Sequence, residues 1–171
     1  MKTWIGTALI ALMGTGLSAQ TEPQLLRNEL KLNGFYTLVG LPEISYERII
    51  NEETSFGVSL TIGADPDLEW KGGISPYYRW FFSKKPAAGL FIESLASVYI
   101  MEDGYRNDDG VWDRRNLTGA GIGFALGYKL ISDGGWVGEV YAGGGRNFSN
   151  SDDLGAGYPR LGFCIGRRFG S

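Results

Sequence analysis

Nine charged residues along the chain have types that could do acid–base work: Glu29, Lys31, Glu47, Arg79, Glu93, Lys129, Glu139, Arg160 and Arg168. Two carboxylates such as Glu93 and Glu139 are the minimum for general acid–base catalysis. The supporting groups are missing. The chain has no histidine, which removes Ser-His triads, imidazole proton transfer and most zinc sites. Its single cysteine, Cys164, lies among glycines with no base beside it and reads as a small filler. Gly119-Ala120-Gly121-Ile122-Gly123 has the composition of a phosphate-cradling loop but leads into no helical pattern. Asn107-Asp108-Asp109-Gly110 hints at calcium, yet an EF-hand register on Gly110 would use Tyr105 as first ligand and Asn116 as last, which fails. No catalytic residue, metal site or cofactor is expected. The nine charges, four acids against five bases, suit ion pairing instead, with Glu93 and Glu139 set against Arg79 and Lys129.

Residues 119–130, GAGIGFALGYKL, show what must position these charges. Gly119, Gly121, Gly123, Ala125, Gly127 and Lys129 share one parity, and Ala120, Ile122, Phe124, Leu126, Tyr128 and Leu130 the other. Period two makes a strand with one bare face and one apolar face. Eight such stretches are read, at about 27–39, 43–50, 54–64, 71–82, 88–101, 117–131, 135–147 and 157–169. None carries a helical period. In the fifth, Phe91, Leu95 and Tyr99 share the parity of Glu93, so they either fill an interior or mark a bulge that re-aims the strand.

The connections alternate in length. Those at 51–53, 83–87 and 132–135 are turn-like; those at 64–70, 102–116 and 148–156 are long and hold ten acidic residues. Gly40-Leu41-Pro42 stands out as brief on the long side. Short turns at one end and long loops at the other fit an up-and-down barrel of the outer-membrane kind.

Alternation does not by itself say which face is inside; a soluble lipocalin-like barrel would bury the apolar one. The glycines argue for the polar face. A water-facing exterior has no use for Gly, whereas an eight-stranded lumen is barely wide enough for side chains and must mix large with small. The bare face of strand six is expected to leave volume for the long charged chains. Trp80, Phe82, Tyr128, Trp136 and Phe169 gather near the short turns on the apolar face, as an aromatic girdle would. Arg48 interrupts that face close to a turn, from which it can snorkel.

Residues 1–19 read as a secretory leader: Lys2, the apolar run Trp4–Met13, and Leu17-Ser18-Ala19 before a cut at Gln20. A short segment, 20–26, would precede the barrel, 27–169. Loss of the leader takes Lys2 and moves the net charge from −3 to −4, which argues against nucleic acid as a partner.

Several stretches resemble small outer-membrane β-barrel proteins of Bacteroidetes, a domain family of unknown function. They are Ser45-Tyr46-Glu47-Arg48, Pro76-Tyr77-Tyr78-Arg79-Trp80-Phe81-Phe82, Lys85-Pro86-Ala87-Ala88-Gly89-Leu90-Phe91-Ile92-Glu93, Gly144-Gly145-Arg146-Asn147-Phe148 and the closing Pro159–Phe169. The resemblance spans about 27–169. It implies an outer-membrane barrel in a Gram-negative cell, inserted by the barrel-assembly machinery, and it implies no activity. The last strand, closing on Phe169, resembles the aromatic-terminated strand that this machinery recognises, but departs from it in that Gly170 and Ser171 follow.

The expectation is therefore an all-β, eight-stranded antiparallel up-and-down transmembrane β-barrel. It would be non-enzymatic, plugged by charge, bounded by outer-membrane lipid, and able to meet an extracellular partner through loops 64–70, 102–116 and 148–156. A lipid-modifying enzyme, a narrow solute channel and a soluble ligand-carrying barrel are the other readings.

Overall fold

Eight strands close on themselves in a computed structural model that describes residues 26–65, 68–106, 112–148 and 155–170. They are β1 (Asn28–Asn33), β2 (Glu43–Ile49), β3 (Thr54–Ile62), β4 (Trp70–Phe81), β5 (Gly89–Arg106), β6 (Trp112–Ile131), β7 (Trp136–Asn147) and β8 (Gly157–Phe169). Each pairs antiparallel with its neighbour in sequence, and β1 pairs with β8 to finish the barrel. Closure gives every strand a partner strand on each side. The expected leader, 1–19, lies outside the described residues.

The alternation read from the sequence sets the two faces. On β2, Glu43, Ser45, Glu47 and Ile49 point inward, while Ile44, Tyr46 and Arg48 point outward. On β6, Gly119, Gly121, Gly123, Ala125, Gly127 and Lys129 are buried, and Ile122, Phe124, Leu126, Tyr128 and Leu130 are exposed. The polarity is thus inverted relative to a water-soluble protein: charges inside, an apolar wall outside. Phe91, Leu95 and Tyr99 on β5 are buried and fill the interior, and β5 stays in one register with β4 from Ile74↔Val98 to Phe81↔Phe91. The irregularity in that pair sits instead between Trp70 and Gly72.

The structure departs from the sequence reading in three places. The first strand does not run to residue 39; it stops at Asn33, and Gly34–Leu38 forms a one-turn helix, α1. Asn33 caps it, its side-chain oxygen accepting from the Tyr36 N–H, and Thr37 Oγ1 donates back to the Asn33 carbonyl at 2.7 Å. The β1–β2 connection is therefore 34–42, long like the others at its end, and the brief Gly40-Leu41-Pro42 link is only its tail. Second, β5 and β6 outrun their expected bounds of 88–101 and 117–131. They pair out to Arg106↔Trp112, so most of loop 102–116 is a ladder standing above the barrel.

The third departure concerns the glycines. The space they leave is taken chiefly by aromatic rings on the adjacent strand, rather than by charged chains alone. A Cβ at Gly119 would lie 2.3 Å from Tyr99 Cζ, at Gly57 2.3 Å from Tyr77 Cζ, and at Gly162 2.1 Å from Tyr141 Cζ. These are directly opposed residues: Tyr99↔Gly119, Gly57↔Tyr77 and Tyr141↔Gly162. Each ring lies flat on its glycine, which lets a large side chain fit a narrow lumen.

Candidate functional site

The interior is one connected string of charge. Arg168 pairs with Glu29 at 2.7 Å, and Glu29 with Lys129 at 2.8 Å. Lys129 reaches Glu47 at 2.6 Å, and Glu47 also binds Lys31. Lys31 pairs with Glu139 at 3.0 Å and Arg79 with Glu139 at 2.8 Å. Arg79 then meets Glu93 at 2.7 Å, Glu93 meets Arg160 at 3.0 Å, and Arg160 ends on Glu43 at 2.7 Å. All nine charges picked out from the sequence are buried and belong to this string.

Glu43 is the member that the sequence reading missed. It shares parity with Glu47 on β2, so the signal was there. Its inclusion makes five acids against five bases and leaves the string with no formal net charge. That balance matters because an uncompensated charge in a dry interior is very costly. Neutral groups complete the hydrogen bonding: Ser55 donates to Glu47 at 2.6 Å, Tyr77 donates to Glu47 at 3.2 Å, and Tyr141 donates to Glu43 at 3.1 Å. The Arg79 guanidinium also stacks over Phe91, 4.3 Å from its centroid, and lies 4.7 Å from that of Tyr77.

Glu29, Glu47 and Glu139 bring carboxylate oxygens within 4.8 Å of one another, the spacing of a metal site. Here the centre belongs to ammonium groups. Lys31 Nζ and Lys129 Nζ each lie within ion-pairing distance of all three carboxylates. The donors are spent on protein cations. The same holds for proton transfer: Glu93 is held between Arg79 and Arg160, and Glu139 between Arg79 and Lys31.

The short-turn end is capped by its own backbone. The turn between β4 and β5 folds inward, so that Ala87 is fully buried, and Arg168 donates to the carbonyls of Pro86 at 3.1 Å and Ala87 at 2.7 Å. Ile49, Phe81 and Phe91 pack with Ala87 in the same apolar cluster. Cys164 is buried beside Tyr141, with its Sγ 3.8 Å from the phenol oxygen.

Trp80, Phe82, Tyr128, Trp136 and Phe169 all stand on the outer wall near the short turns, each between 44% and 55% exposed. Trp80 and Phe82 stack at 5.6 Å. Arg48 is also on that wall, where it donates to Asn28 Oδ1 at 2.7 Å. At the loop end, Asp103 pairs with Arg115 at 2.9 Å and Glu102 with Lys71 at 2.8 Å. Asp108 and Asp109 lie outside the described residues, as do 66–67 and 149–154 of the other loops.

These features define a class: an eight-stranded antiparallel barrel with an apolar outer wall and a lumen filled by ion pairs. The fold is similar to that of the crystal structure of the N-terminal β-barrel domain of Pseudomonas aeruginosa OprF. The TM-score is 0.52 at 17% identity, covering 84% of this chain and 96% of that one. No family model and no curated protein matches the chain.

Proposed function

We propose that this chain is a non-enzymatic outer-membrane β-barrel protein, exported by the leader 1–19, with a structural or surface-interaction role. The observation that carries the reading is the inverted polarity. Phe56, Leu60, Ile122, Phe124, Leu126, Val140, Phe163 and Ile165 are each 49–63% exposed on the outside, while ten charged side chains are buried within. In water this arrangement would be unstable; in a bilayer every term reverses, because lipid solvates the apolar wall and the closed ladder satisfies the backbone. The aromatic group near the short turns then sits at headgroup level on the periplasmic side. The OprF barrel likeness and the Bacteroidetes resemblance support the same compartment.

A non-enzymatic role follows from the carboxylates being tied to fixed cations and from the lack of histidine. The loops, with their ten acidic residues, are the parts left to meet a partner outside the cell. Cells expressing the full chain test the reading. The protein should fractionate with the outer membrane, need detergent for extraction, and shift in apparent mass on boiling. Recovery as a soluble periplasmic protein would overturn it.

A further inference from the structure

Two cations stand on the outer face of the wall with no acid to answer them. Arg48 on β2 and Arg167 on β8 are both exposed, near the short turns and level with the aromatic girdle. Among the described residues neither forms an ion pair. No carboxylate faces outward on β1, β2, β7 or β8, because Glu29, Glu43, Glu47 and Glu139 are all buried. A guanidinium on a lipid-facing surface must find an anion or water.

The wall ties both groups down rather than leaving them loose. Arg48 Nη1 donates to Asn28 Oδ1 at 2.7 Å, and the Tyr46 hydroxyl donates to the same oxygen at 2.6 Å. Asn28 Nδ2 in turn donates to the Phe169 carbonyl at 3.2 Å. Arg48 is thereby drawn sideways over β1 and spends on it one of the five N–H groups that an arginine carries. Arg167 lies opposite Trp136 in the β7–β8 ladder, its guanidinium carbon 5.8 Å from the indole ring centroid. Only β1 separates β2 from β8, so the strands that carry the two arginines run about 10 Å apart. The register sets Arg48 opposite Asn28 and Arg167 opposite Leu30, the next outward position.

We propose that this patch binds the headgroup of one anionic glycerophospholipid from the periplasmic leaflet. Arg48 takes the phosphate, because a planar guanidinium fits phosphate oxygens as a fork. Arg167 supplies a second positive charge beside it. The exposed rings of Trp136 and Phe169 meet the lipid at headgroup level. The charge balance selects the headgroup. A phosphoethanolamine brings its own ammonium, for which these four strands hold no outward carboxylate. A phosphoglycerol brings negative charge alone. The inference rests on the membrane reading above, which sets the short turns at the periplasmic side.

The test uses the full chain folded in detergent micelles that hold equal amounts of phosphatidylglycerol and phosphatidylethanolamine with the same acyl chains. Native mass spectrometry counts each lipid retained on the barrel. Phosphatidylglycerol should bind about fivefold more tightly or better. Arg48→Gln and Arg167→Gln should each weaken it about fivefold, the effect of one basic residue beside an anionic lipid, and together they should abolish the preference. Lys84→Gln with Lys85→Gln, which strips two charges from the exposed β4–β5 turn, should change nothing. The boiling shift shows that each variant folds; should Arg48→Gln lose it, Arg167→Gln decides alone. The proposal falls if the two lipids are retained equally. It falls if the lysine changes lower retention as much as the arginine changes do, since the attraction is then general. It also falls if glycerol phosphate, the same headgroup chemistry without acyl chains, displaces the lipid at equal concentration, since the site is then one for free phosphate. A barrel that shifts on boiling yet shows no lipid preference sinks this inference and leaves the membrane reading standing; a soluble chain without the shift sinks both.

Discussion

Glu47 is the side chain on which most of the interior depends. It accepts from Lys31, Arg79, Lys129, Ser55 and Tyr77. Glu47→Gln keeps the shape but leaves three cations facing one fewer carboxylate. Breaking a buried pair in this way costs about 3–5 kcal/mol, so the urea midpoint of the micelle-folded barrel should fall sharply. Adding Lys31→Met to that variant restores charge balance and should recover part of the loss. A midpoint for Glu47→Gln equal to that of the parent would mean that the string is hydrated rather than dry. Gly162 is sensitive for a different reason. Its Cβ position is 2.1 Å from the Tyr141 ring, so Gly162→Ala must displace a ring that also binds Glu43. Overpacking of this kind costs about 1–3 kcal/mol, readable in the same unfolding curve. Gly138, with nothing near its Cβ position, is the control, and its alanine variant should unfold like the parent.

At the scale of elements, the sequence made the faces of the strands plain and their ends obscure. Period two is a property of many residues at once, so β6 or β8 could be assigned inward and outward faces from the pattern alone. The end of β1 depends on a single side chain. Tyr36, Thr37 and Leu38 continue an apolar–polar alternation, and the Asn33 cap diverts the backbone into α1. The β5–β6 arm was hidden for the opposite reason. Its upper rungs are polar on both faces, and polar residues in a ladder look like a loop. Cross-strand ion pairs hold it: Arg115 with Asp103, and Arg114 with Glu102 at 3.1 Å. The hydrogen bond from Lys71, with the charge of Lys71 and Arg114, keeps the Glu102 carboxyl below its ordinary range. Because β4 pairs with β5 only to Met101 and β7 joins β6 only at Gly121, the arm stands clear of the wall. Deletion of 103–115, bridged by a short turn, should leave the boiling shift intact while removing any surface binding. A barrel that no longer folds would place the arm in the structural core instead.

For the molecule as a whole, the decisive property is that ten buried charges are joined by ion pairs into one string through the interior. The ten charges alternate in sign from the capped end upward, and the Ala87 turn closes the bottom. Cys164, 2% exposed within this packing, reports on it directly. A polar maleimide should leave the folded barrel unlabelled and react fully once the chain is unfolded in detergent. Labelling of the folded state would reveal a continuous aqueous path. The candidate site was legible at this scale because balanced charge, absent histidine and abundant glycine are all sums over the chain. What was not legible was which neighbour fills each glycine, since that depends on register between strands far apart in sequence.

The six-residue β1 has one further effect. The eighth strand is thirteen residues long, so its first half has no strand beside it on that side. There α1 stands in, with the Tyr36 hydroxyl donating to the Pro159 carbonyl at 3.2 Å and the Asn33 amide to the Leu161 carbonyl at 3.1 Å. Two side chains thus do what a ladder does elsewhere. In native-state hydrogen exchange, the backbone amides of Leu161 and Phe163 should therefore lose their protons well before those of Ile165 and Arg167, which face β1 directly. The barrel has a stiff seam below and a soft one above, and thermal opening of its wall begins at the mouth.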